Sequence, residues 1–162
     1  LSTALYGERR MRRRWHVDQQ MQVAVDIAAG LAHLHAHGVI HRDIAARNVL
    51  LGGRRQLVAK VADFGMARTS TDVSVARKTV DVRGPVKWMA PEQLDACEYS
   101  AATDVFSFAV TLYELFACEP PWKQLDATAA GMAVMGGERF TLPKTMPLGV
   151  QQLLSACWHQ NP

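Results

Sequence analysis

The stretch "HRDIAARNVLL", residues 41–51, decides how this chain is read. It sets His41, Arg42, Asp43, Arg47 and Asn48 directly before the apolar run Val49-Leu50-Leu51. A carboxylate, two guanidinium groups and a carboxamide this close together are too polar for a simple buried segment, because each would need a partner inside a core. Working outward, residues 17–37, "VDQQMQVAVDIAAGLAHLHAH", place Met21, Val25, Ala28, Leu31 and Leu34 at helical spacing, and Gly38 supplies a stop. "GVIHRD" then reads as a short strand running into a polar loop. On the other side, Val49–Leu51 and Leu57–Val61 are apolar runs separated by "GGRRQ", which predicts a hairpin with glycines at its turn.

Beyond the hairpin, residues 63–86 hold no periodicity, and Ser, Thr, Arg and Asp dominate. A loop of that length inside a compact domain is commonly functional. After Pro91, helices are predicted over about 101–117, 127–135 and 148–158, separated by Pro120-Pro121, Pro143 and Pro147. The first is apolar nearly all round, as a central buried helix is. There is no internal repeat.

Composition narrows the class. The 162 residues are 49% hydrophobic and 20% charged, which is globular rather than disordered. The net charge of +3 is mild, and much of it comes from "RRMRRR" at 9–14. That run reads as a solvated segment rather than a nucleic-acid site, so no nucleic-acid partner is expected. Cys97, Cys118 and Cys157 fit reduced intracellular thiols used as small packing residues, not a disulfide framework. "VFSFAVTLYELFA" at 105–117 is too short to span a bilayer and contains Glu114. With no leader visible, the expected location is cytoplasmic, or the cytoplasmic part of a receptor-type parent. The chain starts mid-pattern at Leu1 and stops at "CWHQNP", as a fragment does.

The polar segments suggest a chemistry. Moving the terminal phosphoryl group of ATP needs a base near the attacking hydroxyl, metal ions on the phosphates and fixed positive charge. Asp43 can take the hydroxyl proton. Asn48 and Asp63 offer the oxygen ligands that magnesium prefers, provided that the hairpin returns "DFG" (63–65) to the side of the 43–48 loop.

These residues carry a resemblance. "HRDIAARN" looks like a protein-kinase catalytic loop, "ADFG" (62–65) like its magnesium-binding motif, and "MAPE" (89–92) like the end of its activation segment. "TDVFSFAVTLYELF" (103–116) and "CWHQNP" (157–162) resemble a buried helix and a segment near the end of the same fold. The resemblance covers residues 1–162 as a partial domain of the tyrosine-kinase and tyrosine-kinase-like group. It implies a mainly α chain, the C-terminal lobe of an α+β kinase fold, with a short β-hairpin beside the catalytic loop. It further implies Asp43 as catalytic base and Asn48 and Asp63 as ligands of magnesium with ATP. Leu50 would be the floor under adenine, Arg42 the partner of a phosphorylated activation loop, and His41 with Phe64 part of an internal spine. Asp104 would brace the loop by accepting its backbone N–H groups.

The substrate class follows from the same resemblance. Serine/threonine kinases place lysine two residues after the base, where this chain has Ala45, with Arg47 following. They also place threonine seven residues before the "APE" glutamate, where this chain has Pro85. "AAR" with "PVKWMAPE" is similar to the tyrosine-kinase pattern. Yet residues 63–92 contain no tyrosine for a self-phosphorylation switch, and some relatives with this loop modify serine or threonine. Ser70, Thr71, Ser74 and Thr79 are the candidate activating hydroxyls there. Phe106 and Ala109 stand where the pattern has tryptophan and glycine.

The glycine-rich phosphate loop, the strand lysine and the helix glutamate of the small lobe do not occur in these residues, and the arginine that the resemblance pairs with Glu92 is expected a few residues beyond Pro162. The rival readings are therefore a non-catalytic interaction module derived from a kinase and an incomplete gene model. His33, His35, His37 and His41 could suggest a metal site, since His33 and His37 are one helical turn apart, but "HLHAHGVIHRD" reads instead as an ordinary helix end leading into the loop.

Overall fold

The computed structural model describes residues 1–6, 15–53, 56–69 and 85–160. The arginine run at 9–14, the hydroxyls Ser70, Thr71, Ser74 and Thr79, and the hairpin tip at 54–55 lie outside them.

The helices lie where the periodicity predicts, but the buried face of the first long one is not the predicted stripe: Met21, Val25 and Ala28 are exposed, and of that set only Leu31 is buried. A short α1 (Ser2–Tyr6) precedes α2 (Val17–Ala36), which buries Gln20, Val23, Ala24, Ile27 and Leu31. Val23, Ile27 and Leu31 recur every fourth residue and make one apolar stripe. The helix closes as predicted: the N–H of His37 donates to Leu34 O (3.0 Å) and that of Gly38 to His35 O (2.9 Å), with Gly38 at φ 69°. Glycine takes that left-handed conformation without a Cβ clash.

Past Gly38 come β1 (Val39–Ile40), β2 (Val49–Gly52) and β3 (Val58–Val61). β2 and β3 pair antiparallel with Val49 opposite Val61 and Gly52 opposite Val58, which is the predicted hairpin. β3 packs on α2 so closely that a Cβ on Gly30 would lie 3.3 Å from a methyl of Val61. Asp26 of α2 accepts the N–H of Ala59 at 2.8 Å.

α3 (Pro91–Ala96), α4 (Ala101–Ala117), α5 (Ala127–Met135) and α6 (Leu148–Cys157) complete the chain. α4 is the centre. Every residue from Phe106 to Phe116 is buried, and α1, α2 and α6 pack around it. Ser100 caps it reciprocally: its Oγ accepts from Thr103 N (3.3 Å), and Thr103 Oγ1 accepts from Ser100 N (3.1 Å).

The sequence reading omits three elements. α1 and α3 are too short to show a period. β4 (Arg68–Thr69) lies inside the stretch read as a plain loop, and pairs antiparallel with β1, Val39 opposite Thr69 and Ile40 opposite Arg68. A two-residue ladder with a distant partner leaves no alternation to read.

Candidate functional site

The 41–48 loop hangs from the first turn of α4. Asp104, 1% exposed, accepts the N–H of His41 on Oδ2 and that of Arg42 on Oδ1, both at 2.8 Å. His35 Nε2 donates to Oδ2 at 2.9 Å, so the buried carboxylate has three donors. This clamp fixes an unfavourable backbone: Arg42 has φ 70°, a conformation that costs a side-chain-bearing residue roughly 1–2 kcal/mol. Asp63, across the hairpin, has φ 65°. Conformations of this kind persist where surrounding contacts over-determine them, typically at functional sites.

His41 is fully buried and ties the two strained points together. Its Nδ1 accepts the N–H of Asp43 (3.3 Å), which leaves Nε2 to donate to Ala62 O (3.2 Å). The ring meets Phe64 with centroids 5.4 Å apart.

Asp43 is held on both oxygens. Arg47 pairs with Oδ1, and Asn48 Nδ2 donates to Oδ2 (2.7 Å) and to the Asp43 carbonyl (2.7 Å). Both amide hydrogens of Asn48 are thereby used, which leaves its side-chain carbonyl oxygen as the atom that could hold a cation. Asn48 O accepts from Ala62 N at 2.8 Å, directly after the β2–β3 register, so the chain delivers Asp63 beside Asn48. Asp63 is exposed, and its Oδ1 accepts a long 3.3 Å bond from Gly65 N. Two oxygen donors, one neutral and one anionic, suit a hard divalent cation that keeps most of its water. Among the described residues no three His, Cys, Asp or Glu side chains gather as a metal cage. The rings of His33 and His37 stack at 4.3 Å, and His37 Nδ1 bonds the His33 carbonyl at 2.8 Å, so this pair ends the helix. Leu50 lies on the open face of β2, 62% exposed, with Phe64 (52%) also open to solvent.

The sequence reading misses a second anchor on α4. Glu114 is fully buried; its Oε1 accepts from Tyr6 OH (2.5 Å), and its Oε2 from Trp88 Nε1 (2.7 Å) and Ala46 N (3.0 Å). Burial raises its pKa above the ordinary carboxylate value, opposed by the hydrogen bonds from Tyr6, Trp88 and Ala46 and by the charge of Arg47. Tyr6 is likewise raised, by burial and then by the Glu114 charge. The Arg47 guanidinium sits over the Trp88 ring, 4.8 Å from its centroid. A lone glutamate in an apolar helix is the one signal of this site in the sequence; its partners are remote along the chain.

Glu92, at the start of α3, borders a cavity of about 250 Å³ lined also by Phe106, Cys157 and His159. All three cysteines are free thiols. No helix among the described residues is long and apolar enough to cross a membrane.

A family model described as protein tyrosine and serine/threonine kinase matches residues 4–162. The tyrosine-protein kinase Shark of Drosophila melanogaster is 38% identical over 141 residues, covering 86% of this chain and 15% of that protein. Serine/threonine-protein kinase STY17 of Arabidopsis thaliana is 36% identical over 147 residues, 90% of this chain and 25% of that protein. The high affinity nerve growth factor receptor of Gallus gallus is 33% identical over 147 residues, 90% and 19% respectively. The chain thus spans a quarter or less of the length of these relatives. It belongs to the protein tyrosine and serine/threonine kinase family.

Proposed function

We propose that this chain supplies the large lobe of a protein kinase that transfers the terminal phosphoryl group of ATP to protein hydroxyls, with tyrosine as the preferred acceptor. The observation that carries the reading is the convergence of Asp43, Asn48 and the Asp63 segment through one loop and one hairpin, both anchored on buried side chains. In this reading Asp43 takes the proton of the incoming hydroxyl, and its two donors hold the carboxylate in one orientation. Asn48 and Asp63 would hold magnesium, which bridges the phosphates and offsets their negative charge. Leu50, open on β2, supports the adenine from below. A small lobe contributed by other residues of the full-length protein supplies the remaining phosphate contacts, and the protein acts in the cytoplasm, alone or as part of a receptor.

Tyrosine preference rests on Ala45, Arg47 and Pro85, and one relative, Shark, is named a tyrosine-protein kinase. The serine/threonine kinase STY17, similar at 36%, favours the second reading, in which serine or threonine is modified. A third reading, a kinase-derived binding module without turnover, has no support from the site, because Asp43, Asn48 and Asp63 are all present. Phosphate transfer by the full-length protein to a mixed Tyr/Ser/Thr peptide library separates them. Phosphotyrosine is the expected product; phosphoserine or phosphothreonine alone overturns the tyrosine assignment, and no product with any peptide supports the binding module.

A further inference from the structure

We infer that Gly131, in the middle of α5, is a positioning residue that sets where the acceptor-side segment 85–88 stands relative to Asp43; this rests on the reading that Asp43 serves a protein hydroxyl. α5 (Ala127–Met135) is nine residues long, and Gly131 is its central one. Glycine is the poorest helix former after proline, because it gives up the most backbone freedom on folding. Alanine would favour the helix, so helix formation does not account for this residue. Packing does. Gly131 is buried, and a Cβ built on it would lie 3.2 Å from Cγ1 of Val86 and 3.9 Å from Cδ1 of Leu94 on α3. Carbon atoms pack best at about 3.5–4.0 Å, so the second approach is ordinary and the first is too close. The backbone of α5 therefore rests on Val86 nearer than a residue with a side chain would allow.

Val86 is itself buried and directly follows Pro85, one of the residues on which the tyrosine preference rests. The Val86–Trp88 turn moves as a unit, because Pro85 O accepts from Trp88 N (2.8 Å) and Val86 O from Met89 N (3.1 Å). Its later residues are pinned. Ser107 Oγ on α4 donates to Trp88 O (2.8 Å), and Lys87 Nζ donates to Trp122 O (3.1 Å) and Leu125 O (2.6 Å), in the connection that enters α5. Asp126 Oδ1 accepts from Ala129 N (2.8 Å) and fixes the start of that helix. With those points held, an added side chain at residue 131 would be taken up at Pro85 and Val86, on the acceptor side. Asn48, Asp63 and Leu50 are placed through the hairpin instead, so the nucleotide side would stay where it is.

The test uses the full-length protein with Gly131→Ala, Val86→Ala and the two together. A misplacement of 1 Å can cost about 10²-fold, so a shift of a few tenths should raise the peptide KM about threefold in Gly131→Ala. The KM for ATP should stay within about twofold, since uniform destabilisation would move both. Val86→Ala removes the methyl that the new Cβ would meet. Gly131→Ala made in that background should therefore leave the peptide KM within about twofold of Val86→Ala alone, whereas independent effects would simply multiply. Hydrogen exchange of the Trp88 and Met89 amides, read without any substrate, should quicken in Gly131→Ala and not when the same change is made beside Val86→Ala. An unchanged peptide KM, a parallel rise in both KM values, or the same rise in the Val86→Ala background each overturns the inference. Should the full-length protein phosphorylate no peptide, the functional reading falls, and the exchange measurement alone decides whether Gly131 seats the turn. Exchange that is unchanged, or quickened equally in both backgrounds, shows that it does not.

Discussion

Asp104 and Glu114 leave α4 toward the same loop and accept its backbone N–H groups at two points, His41–Arg42 and Ala46. Two buried acceptors on one rigid helix fix the loop at both ends, with Asp43 between them. Glu114 carries a testable electrostatic consequence. Burial raises its folded pKa above the reference value of 4.5. Where the folded pKa is raised, the folded state binds the proton more tightly than the unfolded chain does. Stability contributed by this group is therefore full below the unfolded pKa and falls as pH rises through the folded one. Tyr6 and Arg47 face it and are themselves neutral and cationic across that window. The stability of the parent minus that of Glu114→Gln should decline from pH 4 towards neutrality, measured by urea denaturation at a series of pH values. A flat or rising difference would contradict the assignment. At this scale the sequence displays candidate residues but not their partners. Asp43, Asn48 and Asp63 stand out by type and spacing. Nothing local links Glu114 to Tyr6 or Trp88, because only folding brings those side chains together.

Among the elements, the ones legible in the sequence are those with many repeats of a period. α2 and α4 each span several turns with an apolar face or an apolar whole, and the predicted helix over 101–117 matches Ala101–Ala117. The hairpin is legible because apolar runs flank glycines, and its register follows from the short connection. α1, α3 and β4 are not, because a turn or a two-residue bridge is set by tertiary contacts rather than by local pattern. The element that matters most to the site is α4, and its entry depends on a side-chain cap. Ser100→Ala removes the acceptor of the Thr103 N–H and should lower stability by about 1 kcal/mol. The denaturant midpoint should fall with its slope unchanged. A loss of less than about 0.3 kcal/mol would mean that the packing around α4 sets its start without the cap.

For the molecule as a whole, large apolar side chains stand open to solvent beside the proposed nucleotide site among the described residues. Leu50, Phe64 and Met66 are exposed together on the side of the hairpin and the segment that follows it. Apolar groups open to solvent at a proposed nucleotide site mark a surface that other residues complete. Residues 1–162 purified alone should therefore transfer no measurable phosphate and should self-associate. Light scattering with a peptide-library assay checks both, and a stable monomer with turnover would show that this half of the site suffices.

The central claim is that Asp43 is the base of a phosphoryl-transfer site whose nucleotide is held elsewhere, by Asn48, Asp63 and Leu50. Single-turnover transfer from ATP to a tyrosine peptide, with nucleotide affinity measured on the same samples, compares the full-length protein with Asp43→Asn. The variant should lose about 10²–10⁴-fold in rate and keep its affinity for ATP with magnesium. Near-normal transfer by Asp43→Asn would contradict the account.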